Sequence, residues 1–341
     1  MITEHRMFFK DARDMSEVPT GSVRLTVTSP PYPMIEMWDE MFGAMNPGIK
    51  NALAAGDGRR AHALMHGELD RVWREVDRVT AASGIVCINV GDATRTVAGA
   101  FRMYNNHAPL ARFFLEAGYD ELPSVLWRKQ SNKPNKFMGS GMLPPNAYVT
   151  LEHERICIFR KGGPRTFSGE EAVARRRSAY FREERNLWFS DLWEDLKGVQ
   201  QRLEGTRSRS AAYPFEIPHR LINMYSVQGD TVLDPFLGTG TTMLAAAVSG
   251  RCSVGYEIDA GLRPAIESRL TGLTDAGNRL IGERLARHEA YVNSRLQDGG
   301  TAYLSRAYGF PVVTAQETEI VLPILKEIRL AGDKFTVTYE P

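Results

Sequence analysis

The sequence predicts an α/β protein built on a doubly wound, mostly parallel β-sheet with helices on both faces. Three observations carry that expectation. Short β-branched runs alternate with stretches of helical spacing over residues 22–160, and the rhythm returns at 231. A strand at 231–233 runs into a Gly-x-Gly turn and then a helix. The chain is 43% apolar and 24% charged, ordinary values for a domain with a real core.

The elements follow in order. Residues 22–28 alternate apolar and polar and read as a strand, stopped by Ser29-Pro30-Pro31-Tyr32-Pro33. Residues 60–82 place Leu64, Leu69, Val72, Val76 and Val79 at helical spacing and break at Ser83-Gly84. Residues 85–90 are a continuous apolar strand except for Asn89, and 101–116 read as a helix ending before Gly118. Short strands are expected at 123–127 and 156–159. After the glycine turn comes a helix through 245–248 and a strand at 253–256. The chain then reads as helical to about Gln297, and its tail has a short helix and β-prone pieces at 319–322 and 335–339. Met34, Met37, Met41 and Met45 recur at steps of three and four, the pattern of a packed helix face.

At 341 residues the chain holds one large domain with additions, or two smaller ones. Its 42 Lys+Arg against 41 Asp+Glu exclude a polybasic protein, so any nucleic acid must be met by a local patch. Cys87, Cys157 and Cys252 are an odd set without zinc spacing, which points to a reducing cytosol. The amino-terminal residues lack an apolar signal region, and no apolar run is long enough to span a bilayer. The expected class is an intracellular enzyme. The histidines show no metal-like spacing, so no metal is expected.

Two motifs carry chemistry. Gly238 and Gly240 let a ligand approach the backbone at a helix N-terminus. Glu257 ends the next strand, 19 residues after Gly238, placed to accept bonds from ribose hydroxyls. Met243 stands where a dinucleotide fingerprint has its third glycine, and no Gly-Lys-Ser/Thr is present. Asp234 before the turn would repel a pyrophosphate but can pair with an ammonium, as methionine-derived cofactors carry. The proline loop is rigid and poor in donors. The Ser29 hydroxyl and the Pro30 carbonyl can accept both hydrogens of an amino group and turn its lone pair outward, and Tyr32 offers a face for stacking a base. Each motif taken alone is also compatible with a plain strand-ending turn.

Thr28-Ser29-Pro30-Pro31-Tyr32 resembles motif IV of the amino-methylating DNA methyltransferases that use S-adenosylmethionine. Residues 234–242 (Asp-Pro-Phe-Leu-Gly-Thr-Gly-Thr-Thr) resemble their motif I. Motif IV comes first and motif I about 200 residues later, the order of the circularly permuted β class. Lys10-Asp11-Ala12 resembles motif III, residues 255–259 motif II, and residues 211–222 motif X, while 125–129 and 154–161 look like later strands. The likeness spans about residues 5–275. It implies a permuted Rossmann-like class I methyltransferase fold and flipping of the target base out of the stack. It implies cofactor contacts from Asp11 (to the adenine), Tyr213, Asp234, Pro235, Phe236, Gly238, Gly240, Thr241, Thr242 and Glu257, and catalytic work by Ser29, Pro30, Pro31 and Tyr32. Arg209-Ser210-Ala211-Ala212-Tyr213-Pro214 departs from the family's motif X, and residues 299–341 match nothing.

The resemblance divides the chain into 1–161, a catalytic half; 162–210, a target-recognition insertion; 211–275, a cofactor-binding half; and 276–341, a helical extension. Residues 160–210 hold 12 basic against 8 acidic side chains, so DNA contact is expected from Arg175, Arg176 and Arg177, and from Lys133 and Lys136 in a second basic stretch. The expected partner is DNA, with a cognate restriction endonuclease and a second copy of the chain as further candidates, in the nucleoid-bearing cytoplasm of a bacterium or archaeon. Ser29 tilts the target towards N4 of cytosine over N6 of adenine, since serine there is commoner among N4 enzymes and a hydroxyl could also donate to cytosine N3. An RNA or protein glutamine methylase, a DNA-binding relative without turnover and an unrelated nucleotide-binding enzyme are the alternatives.

Overall fold

A computed structural model describes residues 1–129, 138–198, 213–297 and 302–340. Strands β1 (Ile2–Phe8) and β2 (Val23–Thr28) open the chain. Helices α1 (Asp39–Met45), α2 (Pro47–Ala54) and α3 (Gly58–Val79) follow. The Asp57 carboxylate caps α3 by accepting Arg60 N–H at 3.0 Å. Its buried Met65, Leu69, Val72, Trp73, Val76 and Val79 recur every three or four residues and face the sheet. Met41 and Met45 pack on that core, whereas Met37 is exposed.

The helix ends at Val79, and β3 (Thr80–Val90) begins at once. Ser83-Gly84 is thus not a turn. Ser83 takes φ 63°, and the β2–β3 register shifts between Val23 and Leu25, so the pair is an irregularity inside the strand. The helix expected over 101–116 is two elements. Strands β4 (Ala93–Val97) and β5 (Ala100–Tyr104) form a hairpin, and α4 (His107–Glu116) follows. The hairpin turns on Ala98 and Gly99, both at positive φ, a tight turn that matches strand twist.

Next come β6 (Tyr119–Arg128), the small hairpin β7 (Met138–Gly139) and β8 (Ala147–Tyr148), and β9 (His153–Lys161). Helices α5 (Gly169–Arg177) and α6 (Arg182–Trp188) lead to β10 (Leu192–Trp193). The second half is α7 (Glu216–Tyr225), β11 (Thr231–Asp234), α8 (Thr241–Val248), β12 (Cys252–Tyr256), α9 (Arg263–Thr271) and α10 (Leu273–Gln297). The tail adds β13 (Tyr303–Leu304), β14 (Pro311–Val312), β15 (Leu325–Ala331) and β16 (Lys334–Tyr339). Residues 319–322 form no strand. Their backbone is bonded instead to the Arg177 carbonyl, the Gln228 amide and the Tyr308 phenol.

Among the described residues the main sheet has ten strands, in the order β10-β6-β9-β3-β2-β11-β12-β1-β16-β15. The block β3-β2-β11-β12-β1 is parallel throughout, while β9 and β16 run antiparallel to it and β15 returns in the direction of the block. Alternate residues of β3 feed opposite faces. Val86 and Ile88 join the core under α3 and α4, and Ile85 and Cys87 join the core under α7 and α8. Helix α10 ends at Gln297 as the sequence predicts, and the tail beyond it carries β16 over the β-prone 335–339. It closes the β1 edge, with Phe335 stacked on buried His5 at 4.3 Å and the Tyr339 phenol donating to the Ala247 carbonyl at 2.6 Å. Among the described residues no helix is long and apolar enough to cross a membrane.

Candidate active site

The parallel strands all end at one edge of the sheet, where the two motifs lie side by side. β2 ends at Thr28, whose hydroxyl donates to Asp234 Oδ1 at 2.6 Å, at the end of the neighbouring β11. That bond joins residues 206 apart in sequence. The loop beyond Thr28 buries Pro30, Pro31 and Pro33 and leaves Ser29 and Tyr32 half-buried. It leaves through Met34 at φ 67°, a strained conformation for a side chain of that size, costing about 1–3 kcal/mol. Burial of that side chain and a bond from Met34 N–H to Met65 Sδ offset the strain.

On the β11 side the turn has Gly238 at φ 55° and Gly240 at φ 80°. A Cβ on Gly240 would also come within 3.3 Å of Ile266, whereas a Cβ on Gly238 would meet nothing nearer than 3.9 Å. The second glycine is needed for packing and conformation. The first leaves open space beside the backbone, the cradle a ligand requires. Glu257 follows β12 and takes Gly238 N–H and Asp259 N–H, each at 2.8 Å, one on each carboxylate oxygen. Arg269, which the sequence reading missed, donates to the Thr239 carbonyl and to the Thr239 and Thr241 hydroxyls at 2.8–2.9 Å and holds the turn from outside. Thr242 bonds the Val27 carbonyl and the Tyr213 phenol, tying α8 to β2. Pro235 is buried, and Phe236 packs edge-on to Trp73 at 5.7 Å.

Burial pushes the Asp234 carboxyl above the usual carboxylate range. Burial, and then the neighbouring Asp234, pushes the Tyr213 phenol well up. Asp11 lies beyond the end of β1, on the same edge of the sheet. Its oxygens already accept Arg13 N–H and the Arg13 guanidinium at 2.6–2.9 Å. Burial works to raise the Asp11 carboxyl, but those bonds outweigh it and hold it low.

A second set of side chains meets the proline loop, unsuspected from sequence. Tyr32 Oη lies 2.9 Å from Ser29 Oγ, from Asn89 Nδ2 and from Glu154 Oε2. Lys129 Nζ donates to Glu154 Oε1 at 2.9 Å. Asn89, Glu154 and Lys129 come from β3, from β9 and from just past β6. The one available signal was Asn89, a polar residue in an otherwise apolar strand. Burial, and then the Glu154 charge, pushes the Tyr32 phenol well above its ordinary value.

The expected DNA-contacting arginines lie elsewhere. The chain leaves β9 at the opposite edge of the sheet, where Arg165 pairs with Asp230 just before β11 at 2.8 Å. There Arg176 pairs with Glu319 at 2.7 Å, Arg175 lies over the Phe167 ring at 4.7 Å, and the Arg177 carbonyl accepts Val321 N–H. The Arg176 side chain and the Arg177 carbonyl meet the tail, and the Ser178 hydroxyl next to them accepts Gln228 N–H just before β11, at the other end of that strand from Asp234. Lys133 and Lys136 lie outside the described residues. On the site's own edge, Arg59 and Arg102 line an open hollow of about 590 Å³ with His62 and Asn105. Neither arginine is in an ion pair among the described residues. Next to the hollow, Asn106 Nδ2 donates to the Pro33 and Gly91 carbonyls at 3.1 and 2.9 Å, which ties it to the proline loop.

Glu183, His288 and Glu317 come together with ligand-type atoms within 4.8 Å, which their sequence spacing did not suggest. Those atoms are already engaged. His288 Nδ1 bonds Glu183, and Glu317 accepts Arg182 N–H and Thr314 N–H.

Known proteins resemble this chain in sequence and in fold. A family model described as DNA methylase matches residues 23–268. The Type II methyltransferase M.MthZI of Methanothermobacter thermautotrophicus is 55% identical over 94% of this chain and 91% of its own length. The Type II methyltransferase M.MjaI of Methanocaldococcus jannaschii is 50% identical over 79% of this chain and 92% of its own. Among solved structures, TTHA0409 of Thermus thermophilus, complexed with S-adenosyl-L-methionine, matches 79% of this chain and 94% of its own at 30% identity, with a TM-score of 0.62. The cytosine-N4-specific PvuII DNA methyltransferase shares the fold at 18% identity and a TM-score of 0.53, over 81% of this chain and 92% of its own.

Proposed function

The chain belongs to the DNA methylase family that modifies cytosine N4 or adenine N6 with S-adenosylmethionine, and we propose that it methylates N4 of cytosine in a specific DNA sequence. The observation that carries the reading is the Thr28–Asp234 bond. It seats a loop built to accept an amine's hydrogens against a turn built to cradle a cofactor.

The residues fit the cofactor. Asp234 presents a buried acid to its ammonium, the open side of Gly238 admits it, and Glu257 stands beside that turn, on the side of the next strand where ribose hydroxyls would lie. When bound, the cofactor supplies an electrophilic methyl group on a sulfonium. The chain's own part is to hold the flipped base. Ser29 Oγ and the Pro30 carbonyl accept the two amine hydrogens, so the nitrogen lone pair points out of the amine plane towards the cofactor side. The Tyr32 ring packs the base face. Catalysis is then mainly orientation, which can be worth about 7–11 kcal/mol of a barrier.

Serine at the first loop position supports cytosine over adenine, in keeping with the family resemblance. Digestion of methylated DNA to nucleosides, followed by mass spectrometry, should yield N4-methyldeoxycytidine. N6-methyldeoxyadenosine alone would transfer the reading to adenine. The Type II relatives support a role as the modification partner of a restriction endonuclease in a cell's cytoplasm. Co-purification would test that partner, and sedimentation a homodimer.

DNA approaching Ser29 meets the edge that carries Arg59 and Arg102, and those two are proposed as phosphate contacts. Replacing both by alanine should flatten the salt dependence of DNA binding by about 0.9 for each phosphate left without its cation. Alanine at Arg175, Arg176 and Arg177 should leave that slope unchanged. The reverse result would put DNA on the opposite edge.

A further inference from the structure

We propose that Glu154, anchored by Lys129, is a positioning residue that makes the Ser29 hydroxyl a fixed acceptor for the target amine. The inference rests on the reading of Ser29 as an amine acceptor. A phenol has one hydrogen and two lone pairs. Tyr32 Oη has three neighbours at 2.9 Å, namely Ser29 Oγ, Asn89 Nδ2 and Glu154 Oε2. The Asn89 amide nitrogen can only donate, and the Glu154 carboxylate, ion-paired with Lys129, can only accept. Tyr32 therefore donates to Glu154. Its lone pairs take the Asn89 N–H and the Ser29 O–H. The only hydrogen on Ser29 Oγ is directed away from the base, and the oxygen offers the site lone pairs alone.

The surroundings hold this arrangement. Asn89 Nδ2 also reaches Glu154 Oε2 at 2.6 Å, which fixes the amide, since its carbonyl there would face the carboxylate. Glu154 is nearly buried, at 12% side-chain exposure, so its direction is not lost to solvent. Lys129 Nζ sits 5.5 Å from the Trp127 ring centre. A Cβ on Gly91 would come within 3.0 Å of the Tyr32 ring and 3.3 Å of Glu154 Cγ, so that glycine makes room for both. A consequence reaches back to base choice. With its hydrogen committed to Tyr32, Ser29 does not donate to cytosine N3, contrary to the sequence-based expectation.

Glu154→Gln tests the chain of bonds. Glutamine has one side-chain oxygen where the carboxylate meets three donors, Lys129, Tyr32 and Asn89. Where its amide faces Tyr32, the phenol hydrogen must turn to Ser29, whose hydroxyl then donates into the site. The expected result is a fall in kcat on the order of 10²-fold, with DNA KM, cofactor affinity and unfolding midpoint as in the parent. In a Ser29→Ala background the same change should have no further effect, because its route is gone. A parental kcat in Glu154→Gln, or a full additional loss in the double variant, overturns the proposal. If Glu154→Gln does not fold, Lys129→Met should lower kcat and Lys129→Arg should restore most of it. Equal rates in those two variants also overturn it. A parent protein that forms no methylated nucleoside refutes the acceptor reading itself, and this inference with it. A parent that methylates while Glu154→Gln matches it refutes the inference alone.

Discussion

Asp234→Asn is expected to weaken S-adenosylmethionine binding by roughly ten- to a hundred-fold while the chain remains folded. Asparagine keeps an oxygen for the Thr28 hydroxyl and for Phe236 N–H, which Asp234 Oδ1 accepts at 2.6 and 3.1 Å. What it loses is the charge facing the cofactor's ammonium. A hydrogen bond to a charged group contributes about 1.5–3 kcal/mol, and each 1.4 kcal/mol is about a factor of ten in affinity. The same residue sets a pH dependence. Burial raises its pKa, so it takes up a proton at a higher pH than an ordinary carboxyl does. The neutral acid no longer attracts a cation, and affinity falls as pH drops through that raised value. Its own contribution to stability has the opposite sign. The folded chain holds this proton more tightly than the unfolded one, so that contribution is present at low pH and lost as pH rises through the folded pKa. Calorimetric titration against pH measures the affinity, and the pH response should vanish in Asp234→Asn. An unchanged Kd would remove Asp234 from the cofactor site.

Tyr32→Ala is expected to lose most turnover while titrating cofactor like the parent. The stacking surface goes, worth about 1–3 kcal/mol per base. So does the phenol that joins Ser29 to Glu154 and Asn89. Together these predict a fall of at least on the order of 10²-fold. Cofactor binding should survive, since Asp234, Gly238 and Glu257 lie on or beyond β11 and β12, outside this loop. Tyr32→Phe separates the two parts by keeping the ring and deleting the hydroxyl. Single-turnover methylation read beside cofactor titration decides the matter, and a parental rate in Tyr32→Ala would exclude the stacking role.

What was legible in the sequence was local. Gly238 and Gly240 sit at positive φ in a turn whose strand and helix lie within a few residues. Three prolines stiffen the acceptor loop without help from the rest of the chain. The β4–β5 hairpin was missed because its turn is Ala98-Gly99, a weak signal beside the usual Asn-Gly, and because Phe101 and Tyr104 mimic helical spacing. In the tail β16 covers the β-prone 335–339, whereas β15 was missed because its charged, largely exposed sequence becomes a strand through its pairing with β16.

By itself, the sequence determined the alternating α/β rhythm, the acceptor loop and the cofactor turn, because each depends on neighbours and on backbone limits fixed by Gly and Pro. Tertiary structure alone decided which charged groups join them. An antiparallel strand begins where its parallel neighbours end, so Glu154, at the start of β9, meets Asn89 near the end of β3 and Lys129 just past the end of β6. The same direction of β9 carries Arg175, Arg176 and Arg177 to the far edge. Strand order and register set those distances, and a run of charges carries no record of either.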